Sequence, residues 1–121
     1  MNKYSQEEIA VFKSRLLEIK TQEEKQLQEL SYEFAQLTEN GKDENSLDTT
    51  SYSVQLERII NSMNRLKKHL LHVNNALLRI ENNVYGNCAE TGKMIPKERL
   101  MAVPTTTLSI EGKKIRESKP K

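Results

Sequence analysis

A heptad seam dominates the second half of the chain. Tyr52, Leu56, Ile59, Met63, Leu66, Leu70, Val73, Leu77, Ile80 and Val84 follow one another in alternating steps of four and three. Such steps keep one stripe of a helix apolar over many turns, and that stripe is stable only against a second helix. A partner stripe lies upstream at Ile9, Phe12, Leu16, Ile19, Leu27, Leu30, Phe34 and Leu37. Across Lys20–Gln26 it passes through Glu23 in two successive steps of four, a stutter that unwinds a coiled coil locally without ending the helix. Ile60, Leu71 and Leu78 widen the second stripe toward its far end and predict packing against further structure there.

Start and stop signals frame both helices. Ser5-Gln6-Glu7-Glu8 reads as a capping box, with the Ser5 hydroxyl on the Glu8 amide and the Glu8 carboxylate reaching back. Gly41 can take positive φ and end the first helix. Asp48, Thr49 or Thr50 can cap the second. Helices of this length run about 50 Å at ~1.5 Å per residue. Equal lengths and a short polar link fold back as an antiparallel hairpin.

Composition agrees with that architecture. The chain has 121 residues, 36% of them apolar, and no Trp, which is too little apolar material for a layered core but enough for a narrow seam. Net charge is only +2, weak support for whole-molecule attraction to nucleic acid. Residues 86–121 carry eight Lys/Arg against four Asp/Glu, so the C-terminal part is basic and the helical part mildly acidic. One cysteine excludes an intrachain disulfide. No apolar run approaches the ~20 residues of a membrane span, and the N-terminus has no apolar signal core. A cytoplasmic protein is expected, with no membrane partner.

After Val84 the pattern changes. Gly86 and Gly92 bracket a tight turn holding Cys88. Pro96 opens a short helix over Pro96–Met101, and Val103-Pro104 forces extended backbone. Thr105–Ile110 has strand composition. Gly112–Lys121 is a basic tail, expected to fray at its end. The expected division is a hairpin over 1–85, with its tip at about 39–51 and its first residues packing on the head, and a head with basic tail over 86–121.

Ala76-Leu77-Leu78-Arg79-Ile80-Glu81, then Tyr85-Gly86-Asn87-Cys88, Thr91-Gly92, Ile95-Pro96, Arg99-Leu100, Ala102 and Pro104-Thr105 together resemble the DksA/TraR family of bacterial transcription regulators. In that family a long helix leads into a zinc finger with four cysteines. Here the four positions hold Cys88, Thr91, Ser109 and Gly112. A structural zinc site needs four ligands, so the expected fold is mainly α, a long antiparallel coiled-coil hairpin with a small, degenerate, metal-free finger as its head. Met94, Ile95, Leu100, Met101, Val103, Leu108 and Ile110 are the apolar residues expected to replace the metal.

The resemblance implies a partner and a mechanism. DksA-like proteins bind RNA polymerase without binding DNA; the hairpin enters the secondary channel and its acidic tip approaches the catalytic region, commonly with the stringent-response alarmone ppGpp. Carried onto this chain, the paired tip aspartates fall on Asn45 and Asp48 and the following alanine on Thr50, with Asp43 and Glu44 adding to an acidic tip. Basic positions linked to polymerase and ppGpp contact fall on Arg65, His72 and Lys113. No cofactor is expected, ppGpp is the implied effector, and the expected state is a monomer.

Plainer readings stand beside these. Cys88 serves equally as a small buried residue filling its turn, and Asp48 as an N-cap contributing about 1 kcal/mol. Arg65, Lys67 and Lys68 also suit a solvated coiled-coil face, and His69 and His72 a helix surface. No nucleophile–base pair, phosphate loop or paired-carboxylate pocket is visible, so no enzyme is expected. The alternatives to a polymerase-binding regulator are a coiled-coil adaptor or chaperone-like module, and a nucleic-acid module using the basic tail.

Overall fold

The computed structural model describes residues 3–40 and 49–120, without the side chains of 40, 49 and 50. Four helices follow in order: α1 Gln6–Asn40, α2 Thr49–Glu81, α3 Lys97–Ala102 and α4 Ile110–Ser118. The chain is mainly α. Among the described residues the only sheet-like pairing is one isolated antiparallel bridge between Asn87 and Met94. The fold is an antiparallel helical hairpin carrying a small finger-like head. It divides into two compact units: Lys20–Leu71, and a second formed by Met1–Ile19 with His72–Lys121.

The unit Lys20–Leu71 contains the middle of both long helices. Leu27, Leu30, Phe34 and Leu37 of α1 and Leu56, Met63, Leu66 and Leu70 of α2 are half-buried, and Ile59 is fully buried. Glu23 faces His69, and Glu33 faces Arg58 at 2.6 Å. Advancing along α1 from Glu23 to Glu33 thus means retreating along α2 from His69 to Arg58, which fixes the antiparallel register. At the stutter, His69 Nδ1 lies 2.7 Å from both carboxylate oxygens of Glu23. A carboxylate in a seam needs such a partner, and Glu23 is the more enclosed of the two, 17% exposed against 42%.

The other unit holds the main core: Phe12 and Leu16 of α1, Val73 and Ala76 of α2, and Tyr85, Cys88, Ile95 and Leu100 of the head. Burying a large apolar side chain of this kind contributes about 1.5–3 kcal/mol. Tyr4 lies edge-on to Phe12, with ring centroids 5.4 Å apart, and Phe12 touches Tyr85 at 5.7 Å. The Tyr4 hydroxyl donates to the Ile95 carbonyl. The capping box forms as the sequence predicts: the Ser5 amide donates to Glu8 Oε1 and the Glu8 amide to Ser5 Oγ, both at 3.1 Å.

Helix α2 ends sooner than its seam suggests. Asn83 adopts φ 61°, the Val84 amide reaches the Arg79 carbonyl at 2.9 Å and the Asn83 amide reaches Ile80 at 3.1 Å. These are the two bonds of a Schellman stop, and Val84 points to solvent. Ile60, Leu71 and Leu78 are also exposed; the widened stripe meets no further structure among the described residues.

Three expectations about the head change. The short helix runs Lys97–Ala102 with Pro96 as its N-cap, one residue later than the sequence suggests. Thr105–Ile110 is not a strand: Thr106 closes a local turn on Leu108, donating to its carbonyl at 2.8 Å and accepting from its amide at 3.1 Å. The segment Ile110–Ser118 is helical, where the sequence suggests strand composition up to Ile110 and a basic tail, with no helix, beyond. Its start is capped by Ser109, whose hydroxyl oxygen accepts from the Gly112 amide at 3.0 Å. Its end is tied back by Glu90, which pairs with Arg116 and Lys119. Ile95 and Leu100 do fill the head, with Met94 and Leu108 half-buried. Met101 and Ile110 are exposed on the outward faces of α3 and α4, and Val103 is exposed just past the end of α3.

Candidate functional site

Two places in the head gather the residues singled out in the sequence. The first is the finger itself. The Cys88 amide donates to the Lys93 carbonyl at 2.7 Å and the Gly92 amide to the Cys88 carbonyl at 2.9 Å. Gly92 takes φ 74° and Gly86 φ 95°, conformations that favour glycine. At Gly86 a side chain would also meet the Tyr4 ring at 3.0 Å. The knuckle therefore closes as a tight loop with Cys88 buried at 2% exposure.

The four finger positions do come together. The Ser109 amide and hydroxyl lie 3.4 and 3.5 Å from Cys88 Sγ. Thr91 also donates to the sulfur, and its hydroxyl oxygen accepts from the Lys93 amide at 3.2 Å. Burial pushes the Cys88 thiol up, but the hydrogen bonds from Thr91 and Ser109 together outweigh it and bring it down to about 6. Donors aimed at a sulfur favour its charged form.

The second place is a cleft of about 460 Å³ lined by His72, Asn75 and Arg79 of α2, Arg99 of α3, the loop Thr105–Leu108, and Lys113 of α4. No carboxylate lines it among the described residues. Its loop wall is held from three sides. The Tyr85 hydroxyl donates to the Pro104 carbonyl at 2.7 Å, Arg79 Nη2 to the Thr105 carbonyl at 3.1 Å and Arg99 Nε to the Leu108 carbonyl at 3.4 Å. Each guanidinium anchors the loop while its charge faces the cleft, an arrangement suited to an anionic or acidic partner.

The structure thus joins His72 and Lys113, two of the three basic positions read from the sequence. The third, Arg65, lies in the other unit. There it lines a groove with Glu23, Glu29, Glu33, Ser62 and His69 and donates to Ser62 Oγ at 3.3 Å. Arg79 and Arg99 were missed as site residues. Both stand in the motif that carries the resemblance, but nothing in their spacing reveals that the chain folds them onto one loop. Asp43, Glu44, Asn45 and Asp48 lie outside the described residues. Thr50 falls in the first turn of α2, its side chain outside the description.

The motif of the finger has a match beyond this chain. Residues 84–117 fit the family model of the prokaryotic dksA/traR C4-type zinc finger. The RNA polymerase-binding transcription factor DksA of Caulobacter vibrioides is 31% identical over 110 residues, spanning 91% of this chain and 76% of that protein. General stress protein 16O of Bacillus subtilis is 32% identical over 91 residues, 74% of this chain and 54% of that protein. Transcription factor DksA2 of Pseudomonas aeruginosa superposes with a TM-score of 0.84 at 28% identity, covering 93% of this chain and 85% of that one. An RNA polymerase binding protein and transcriptional regulator of Chlamydia trachomatis superposes at 0.51 with 30% identity, covering 94% and 92%. A helical hairpin with a finger-like head defines the class. Within it, this chain belongs to the DksA/TraR family.

The residues present do not fit the zinc ion of a C4 finger. One thiol, two hydroxyl residues and a glycine replace four cysteines, and among the described residues no group of three His, Cys, Asp or Glu converges on one point. Structural zinc is held by four thiolate or imidazole ligands, and Gly112 offers none. No helix among the described residues is long and apolar enough to cross a membrane.

Proposed function

We propose that this protein is a transcription regulator that binds bacterial RNA polymerase directly, without contacting DNA and without catalysing a reaction. The hairpin enters the secondary channel with Asp43, Glu44, Asn45, Asp48 and Thr50 at its tip, and the head docks outside. The protein works as a monomer in the cytoplasm. The observation that carries this reading is similarity along the whole chain: the superposition on DksA2 covers 93% of the residues, so hairpin and head are kept together. A relative named as an RNA polymerase-binding factor, 31% identical over 110 residues, supports the partner.

The basic cleft takes the docking role. His72, Arg79, Arg99 and Lys113 offer positive charge on a preorganised loop, which fits an acidic polymerase surface or the phosphates of ppGpp. Arg65 contributes from its own face of α2. The test is retention of the protein by purified polymerase, followed by transcription in vitro. Asp48→Asn and removal of residues 43–48 should abolish the effect on promoter output while retention falls less. Lys113→Glu should weaken retention by about tenfold, the equivalent of ~1.4 kcal/mol. Unchanged promoter output from both tip variants would sink the tip mechanism, and no retention of the wild type would sink the partner.

A further inference from the structure

The family's finger is built around zinc, and the disagreement between that plan and this head reaches past the missing ligands. A chain that had merely lost three cysteines would keep room for the ion. This head has closed that room. A Cβ added at Gly112 would lie 2.4 Å from Cys88 Sγ, 3.3 Å from Ser109 Oγ and 3.4 Å from the Glu90 side chain. A contact of 2.4 Å is far inside van der Waals separation, and the atom struck is a buried sulfur held in place by the hydrogen bonds it accepts from Ser109. The fourth ligand position thus presses its bare backbone on the first. Around a tetrahedral metal two ligand sulfurs, each about 2.3 Å from the ion, must instead stand roughly 4 Å apart with the ion between them.

What fills the space is a hydrogen-bond hub. The Ser109 hydroxyl accepts from the Gly112 amide at 3.0 Å and donates to Cys88 Sγ at 3.5 Å, and the Ser109 amide adds a second bond to the same sulfur at 3.4 Å. The start of α4 is thereby tied to the knuckle through one sulfur. In a zinc finger the ion makes that tie.

We propose that Gly112 commits this head to a metal-free fold: its missing side chain lets α4 close on the Cys88 sulfur, which replaces the metal as the link between knuckle and helix. Gly112 sits in the first turn of α4 without positive φ. On helix propensity alone Gly112→Ala should stabilise, since alanine is the better helix former. The contact with Cys88 reverses that sign.

The experiment is thermal unfolding of four proteins, wild type, Gly112→Ala, Cys88→Ala and the double variant, with zinc content measured on the purified wild type. Gly112→Ala in the wild-type background should lower Tm by roughly 5–10 °C, the range for overpacking a small domain. In the Cys88→Ala background the same substitution should cost less than half as much, or stabilise, because the obstructing sulfur is gone. Zinc should be well below one ion per chain, and a chelator should leave Tm unchanged. A stabilising Gly112→Ala in the wild-type background, an equal cost in both backgrounds, or stoichiometric zinc would each overturn the proposal. If Gly112→Ala alone fails to fold, recovery in the double variant still supports it and failure there refutes it.

Discussion

Tyr85→Phe isolates one hydrogen bond that holds the wall of the basic cleft. Tyr85 is 5% exposed, and its hydroxyl donates to the Pro104 carbonyl at 2.7 Å. Phenylalanine keeps the ring and its contact with Phe12, so packing is conserved. What disappears is a net bond of about 1 kcal/mol, and what remains is a buried carbonyl with no donor, a penalty of about 1–3 kcal/mol that partly overlaps it. A loss near 2 kcal/mol is expected, or roughly 6–12 °C in Tm for a domain of this size. Burial also pushes the Tyr85 phenol up to about 12, against the pull of the nearby Arg79 charge. The sign follows: between pH 10 and 12 the folded protein keeps a proton that the unfolded chain releases. The stabilisation is therefore complete below pH 10 and lost as pH rises through about 12. Tyr85→Phe has no such proton to keep, so the stability gap between the two proteins should narrow above pH 10. Tyr4, whose phenol is raised by burial too, is present in both and cancels in the difference. Thermal unfolding from pH 7 to 11 supplies the numbers, and hydrogen exchange at the Thr106 and Leu108 amides shows whether the loop loosens. Equal Tm values at pH 7 would show that the Tyr85 bond does not hold the loop, and a gap that does not change with pH would show that its proton is not retained on folding.

Three further outcomes are expected. Between pH 6 and 9 the folded Cys88 binds fewer protons than the unfolded thiol, so stability should rise with pH across that window. Cys88→Ala should flatten the rise, measured as Tm against pH. Glu90→Gln removes the carboxylate that Arg116 and Lys119 share and should speed amide exchange in Ile110–Ser118 while α1 and α2 exchange as before. Glu23→Leu should stabilise the hairpin by about 1 kcal/mol, because an apolar side chain suits the seam better than a hydrogen-bonded carboxyl group. The half-exposed His69 can then return to water, and a Tm lower than wild type would count against this.

The hairpin was legible because its signals are local and periodic. The heptads from Tyr52 to Ile80 and the box at Ser5 and Glu8 each state their structure within a few residues. Val84 misled because the seam outlasts the helix: the Asn82-Asn83 pair, able to take the left-handed turn, was the better stop signal. The cleft was half legible. His72 and Lys113 came from resemblance, whereas Arg79 and Arg99 act through carbonyls of a loop whose course no periodicity describes. The Glu23 stutter was visible, but its partner His69 follows only from the register of the pair.

Helix α4 was hidden for an instructive reason. Thr105, Thr106 and Thr107 favour strands, Gly112 disfavours helices, and the family pattern casts Ser109 and Gly112 as ligand positions that have decayed. Read as losses, they give no sign of a helix. Each substitution instead has a local use. Thr91 turns its hydroxyl to the Lys93 amide, Ser109 caps α4 while bonding the sulfur, and Gly112 removes the atom that would keep the two apart. A cysteine at 109 bound to zinc would leave the Gly112 amide without its hydroxyl acceptor, and a cysteine at 112 would push α4 off the knuckle. The serine and the glycine therefore depend on each other, and they make sense only in a head where sulfur, not zinc, joins its two halves.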